Sequence, residues 1–153
     1  MTLYEFLVFA HVLMAVAWVG GGFAIQVLAL RATRANDPIR TAGLTADAEW
    51  MSLRVFMPAS LLLLVVGIWA AVEGDWDFGA AWISIGFAAF LFSFFLGMAF
   101  LGPESGRIKT LVQERGLDDP EVSRRTSRIL LFSRIELLIL IIAIWAMVTK
   151  PGV

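Results

Sequence analysis

The 153-residue chain has no cysteine. Disulfides, thiolate zinc sites and iron–sulfur clusters are therefore excluded. It has no charge excess, with a formal net charge of -1, so nothing in its charge suggests a nucleic-acid partner. It has no HExxH pattern, no phosphate-binding glycine loop and no nucleophile–base pair. Gly20-Gly21-Gly22 lacks the preceding strand and the spacing of a nucleotide site. The opening Met1-Thr2-Leu3-Tyr4-Glu5 has no basic residue, whereas a cleavable signal peptide needs a positive start, so the first apolar segment is expected to be retained. Internal repeats and low-complexity tracts are also missing.

What is abundant is apolar surface. Hydrophobic residues make up 59% of the chain, and the mean hydropathy is +0.82. A water-soluble domain of this size could not cover so much apolar area, so lipid must be part of the solvent. Four long apolar stretches carry it: Leu3–Leu30, Met57–Val72, Ala80–Leu101 and Ile129–Val148. Each matches or approaches the ~20 helical residues that span a ~30 Å hydrocarbon core. Backbone polar groups in hydrocarbon must satisfy one another, so these spans are expected to be helices. The reading is a single all-α domain over 1–153, a four-helix antiparallel transmembrane bundle with spans of about 3–30, 57–72, 80–101 and 124–149.

Charge sets the expected orientation. Eleven of the twelve Lys and Arg residues fall in the first and third connections or at their helix edges. The second connection carries Glu73, Asp75 and Asp77 with no basic residue, and only Lys150 follows the fourth span. The positive-inside bias places connections one and three in the cytoplasm and both termini outside, in a cell inner (cytoplasmic) membrane. Tyr4, Trp69, Trp76, Trp82 and Trp145 then fall near the outer surface as an aromatic belt, and Trp50 at the inner one.

Short cytoplasmic helices are expected in the first and third connections. Asn36-Asp37-Pro38 reads as a turn, followed by an interfacial helix over Thr45–Phe56 leading into span two, with Pro58 in the first turn of that span. The short second connection makes spans two and three antiparallel neighbours. Pro103 opens a helix that stops at Gly116. Asp118-Asp119-Pro120-Glu121 is a strong start for a helix running to Thr149, ~45 Å long at ~1.5 Å per residue. Ala89, Ser93 and Gly97 at intervals of four, and Ala10, Met14, Ala17, Gly21 and Ala24 on span one, form small-residue stripes suited to close packing and to a homo-oligomer.

Few polar groups lie within the spans. His11, the only histidine, shares a helical face with Ala15, Trp18 and Gly22 and is expected to face the bundle interior, because an ionisable group in lipid is expensive. It is a candidate haem ligand or proton-transfer site, or a neutral imidazole bonded to another helix. One histidine per chain excludes bis-histidine haem ligation within a monomer; Met147 on span four is the methionine nearest in depth. Glu136 lies about two turns into span four, and Arg134 points to nearly the opposite side of its helix. Arg54 and Gln26 are the candidate partners for Glu136 by depth. The alternatives at Glu136 are a proton or cation site and a structural pair. The run Arg124-Arg125-Thr126-Ser127-Arg128 is taken as a topology determinant rather than a headgroup site.

The segment Phe9-Ala10-His11-Val12-Leu13-Met14-Ala15-Val16-Ala17-Trp18-Val19-Gly20-Gly21 resembles the opening of a group of predicted integral membrane proteins, domain-of-unknown-function family 2269. The likeness extends loosely through Pro58-Ala59 and Gly67 to Gly102-Pro103. That group looks distantly similar to the copper-resistance D membrane domain and to HemJ-type protoporphyrinogen oxidases. The resemblance implies a four-helix bundle and matches His11 to a first-span histidine, which in the HemJ-type enzyme is associated with haem b and a membrane lysine. No lysine occurs inside a span here. The leading expectation is a non-catalytic integral membrane protein in the lipid bilayer, with His11 as its special site. A haem b-dependent membrane oxidoreductase is the first alternative and copper or proton transport the second, with no metal site assigned among the residues.

Overall fold

The computed structural model describes residues 1–152, without the side chains of Pro38 and Ala42. The chain folds into four long helices: α1 (Leu3–Arg34), α2 (Ile39–Glu73, with Pro38 in its first turn), α3 (Ala81–Arg115) and α4 (Pro120–Thr149). All four are long and apolar enough to cross a membrane. Large apolar side chains stand exposed along them, among them Val16, Leu62, Val65, Leu138 and Ile142. Such a surface is stable against lipid and not against water.

Local sequence explains the helix ends. Thr2 caps α1 in a reciprocal box with Glu5, which satisfies two otherwise orphan amides. The Asp37 side chain accepts from the Arg40 amide at 2.9 Å, so α2 begins at the Asn36-Asp37-Pro38 turn, not at Thr45 as its sequence suggested. Gly116, with φ of 87°, ends α3, where a left-handed conformation favours glycine. Asp119 accepts from the Glu121 amide at 2.7 Å and starts α4 beside Pro120.

The segments expected as separate short helices are helical, but they continue the spans without a break. The joins are π turns, at Ser52–Phe56 in α2 and Gly97–Leu101 in α3. Each is followed two residues later by proline, Pro58 and Pro103. A proline ring normally collides with the carbonyl four residues earlier and leaves it without a donor. A wider turn just before the ring accommodates both defects and keeps the helix running. A third π turn, Val16–Gly20, interrupts α1 ahead of Gly21-Gly22.

Helix pairing is uneven around the bundle. The N-terminal half of α1 packs along the C-terminal half of α2, and the N-terminal half of α3 along the C-terminal half of α4, while the apolar halves of α2 and α3 meet less closely, at Ala71, Trp82 and Ile83. Close approach decides this. A Cβ on Gly67 of α2 would collide with the His11 ring of α1, and one on Gly86 of α3 with Met147 of α4. Towards the end that carries the arginines, α1 also meets α4, and α2 also meets α3, which closes a ring of four helices.

At the opposite end, where both termini lie, Ala71, Trp82, Ile83 and Ala146 form a small core. Trp76 donates to the Tyr4 hydroxyl at 3.2 Å and meets Trp82 edge-on. The Lys150 ammonium sits 3.9 Å above the Trp76 ring, a cation–π contact that ties the end of α4 to the α2–α3 connection.

Candidate functional site

Between the helices at the basic end lies a partly open cavity of about 420 Å³. Each of the three π turns supplies part of its wall. Trp18 and Val19 come from the turn in α1, and Ser52, Leu53 and Phe56 from that in α2. Gly97, Met98 and Leu101 come from the turn in α3. A π turn inserts one residue and re-aims the side chains on either side of it, which is why such turns recur at sites. Here three fall around one void. The fourth helix is regular and contributes Ser133, Glu136 and Leu140.

The polar side chains of the wall are five serines, Ser52, Ser60, Ser93, Ser105 and Ser133, with Glu49 and Glu136. Glu136 lines the cavity one helical turn beyond Ser133, so both present to the same side of α4. Ser93, only 2% exposed, also lines the cavity, and its Oγ has no hydrogen-bond partner among the described residues. Buried hydroxyls are rarely left in that state. Ser60 is spoken for by the Met57 carbonyl at 2.9 Å. Towards the basic end Glu49 lines the cavity and pairs with Lys109 across 3.9 Å, joining α2 to α3. No Lys, Arg or His lines the cavity.

The residues singled out from sequence are not brought together. Arg54 is exposed and lies 5.7 Å over the Trp50 ring, because its place in the π turn aims it away from the wall formed by Ser52, Leu53 and Phe56. Gln26 is half-buried outside the cavity, and its Oε1 has no partner among the described residues. Neither makes a hydrogen bond or ion pair to Glu136 among the described residues. His11 is elsewhere. Its Nδ1 lies 3.0 Å from the Leu63 carbonyl oxygen; a carbonyl can only accept, so Nδ1 carries the proton. The ring is wedged against Gly67, and Met147 is taken up by Gly86 rather than by His11.

Sequence reasoning missed a charged cluster beyond the apolar spans. Glu104, 3% exposed, receives Arg125 at 2.6 Å and Arg107 at 3.3 Å. Arg125 also donates to Glu121 at 2.7 Å. Burial alone would raise the Glu104 carboxyl, but hydrogen bonds and charge from Arg125 and Arg107 outweigh it and hold the group below the usual carboxylate range. This bridge clamps the basic ends of α3 and α4. Only the facing of Glu104 towards Arg125 across twenty-one residues reveals it, and no local pattern encodes that.

The family model described as predicted integral membrane protein (DUF2269) matches residues 5–151. No curated protein and no solved structure matches the chain. The chain belongs to that family of predicted integral membrane proteins.

Proposed function

With membership of that membrane family as the premise, we propose that the protein is a bilayer-spanning binding protein whose site is the cavity walled by the three π turns. The carrying observation is the coincidence of a partly open void between the helices, an unpartnered buried hydroxyl at Ser93 and a carboxylate at Glu136 on one wall. Largely apolar cavities of a few hundred Å³ with a few convergent polar groups are the usual form of a small-molecule site. The arginine distribution orients the bundle with the cavity towards the cytoplasm and both termini outside an inner membrane. On this reading His11 is a helix-to-helix lock between α1 and α2. The haem alternative finds no support in its placement. His11 does not line the cavity, and its ring is wedged against Gly67 with Nδ1 on the Leu63 carbonyl.

The test is equilibrium dialysis of tritiated 1-naphthalenemethanol, a neutral probe smaller than the cavity, against the protein in phosphatidylcholine nanodiscs, with empty nanodiscs as reference. One saturable site per chain is expected. Gly22 and Gly97 line the cavity, and a Cβ at either would meet nothing within 4 Å. Gly22→Leu or Gly97→Leu should therefore fill the void without a clash and abolish binding. Uptake no greater than that of empty nanodiscs, or uptake unchanged in both variants, would remove the proposal.

A further inference from the structure

The wall chemistry narrows the occupant, on the reading that the cavity is a binding site. Its two carboxylates are Glu49, which already faces Lys109, and Glu136, and no cationic side chain lines it. A carboxylate among apolar groups calls for a positive partner or a proton. Arg54, a candidate partner by depth, is turned outward over Trp50. The partner must then come from outside the chain. An inorganic divalent ion would need several oxygen or nitrogen ligands, and no cluster of three or more His, Asp or Glu exists among the described residues. An acyl chain would use the apolar wall and leave Glu136 and Ser93 unanswered. A proton alone would need no void of this volume.

We propose that the cavity takes a small lipophilic organic cation, an alkyl- or arylammonium. Its N–H groups donate to Glu136 and to a serine hydroxyl, Ser133 one turn away or the unpartnered Ser93. Its apolar body lies against Trp18, Phe56 and Phe94, whose ring faces attract positive charge. The cation thus supplies both the charge that Glu136 lacks and the donor that Ser93 lacks.

The experiment compares two isosteres, 1-naphthylmethylamine, charged at neutral pH, and 1-naphthalenemethanol, in the same nanodisc dialysis. Wild type should prefer the amine by roughly tenfold or more, the worth of one charge-assisted hydrogen bond. Glu136→Gln should erase that preference by weakening the amine at least about tenfold more than the alcohol, and a far-UV circular dichroism spectrum matching wild type certifies the variant as folded. Equal affinity of the two probes in wild type, or a preference that survives Glu136→Gln, overturns the inference. Should Glu136→Gln lose both probes, Glu136→Asp, which keeps the charge, must retain the preference, and its loss there overturns the inference. If the alcohol binds saturably without an amine preference, only the ligand class fails. If neither probe binds, the cavity reading fails with it.

Discussion

Gly67→Ala puts the helix-locking role of His11 to a quantitative test. A Cβ at position 67 would stand 2.7 Å from both Cε1 and Nδ1 of the His11 ring, well inside contact distance. The ring cannot swing away freely, because Nδ1 is held by the Leu63 carbonyl at 3.0 Å. Either the hydrogen bond breaks, at about 0.6–1 kcal/mol, or the helices separate, at about 1–3 kcal/mol for overpacking. Against this, alanine is favoured over glycine within a helix by at most about 1 kcal/mol. The net expectation is a loss of about 0–2 kcal/mol. In a His11→Ala background the obstacle is gone, so Gly67→Ala should be neutral or stabilising by up to about 1 kcal/mol. The coupling between the two sites is then about 1–3 kcal/mol. Unfolding by SDS titration in mixed micelles, followed by far-UV circular dichroism, measures all four corners of the cycle. Equal effects of Gly67→Ala in the two backgrounds would refute the contact and with it the role given to His11.

Two further outcomes are expected at the basic end. Asp119→Ala removes the acceptor of the Glu121 amide and should cost about 1 kcal/mol; hydrogen exchange should quicken at Glu121 to Ser123 and not in the middle of α4. Glu104→Gln leaves Arg125 with a neutral partner and should cost about 1–2 kcal/mol. Because the Glu104 carboxyl is held low in the folded protein, its contribution is fully present above the ordinary carboxylate range. It is lost as pH falls through the lowered folded value. Wild-type stability should therefore decline on acidification more steeply than that of Glu104→Gln, by SDS titration at a series of pH values.

The architecture was legible where it rests on local chemistry. The spans follow from runs of apolar residues, the α4 start from Asp119-Pro120, and the α3 end from Gly116, each of which acts within a turn of its own position. The start of α2 is also written locally, in Asp37-Pro38, although the pattern from Thr45 onwards points to a later one. Helix pairing was not legible. A short connection forces α2 and α3 to run antiparallel, yet Gly67 against His11 and Gly86 against Met147 decide which faces meet, and those contacts join residues far apart in the chain. The π turns have backbone angles close to those of an α-helix and no composition of their own; the prolines two residues beyond are their only trace in two of three cases. The cavity was invisible for a deeper reason. A void is the failure of four surfaces to fill a space, which no single residue reports. Glu136 stands out in the sequence, but Arg54 and Gln26 match it by depth alone, and depth does not fix the direction in which a side chain points.

The absence of cysteine allows the central claim to be tested one position at a time. Ser133→Cys and Gly97→Cys place a thiol on the cavity wall, and Leu138→Cys, at a residue 61% exposed on the outside of the bundle, places one against lipid. In inside-out membrane vesicles a charged, water-soluble methanethiosulfonate should modify the two wall cysteines and spare Leu138→Cys, and 1-naphthylmethylamine should protect the wall. Wall cysteines as inert as the lipid-facing one, or a reaction at Leu138→Cys alone, would contradict a hydrated interior site and leave the four helices as a closed bundle.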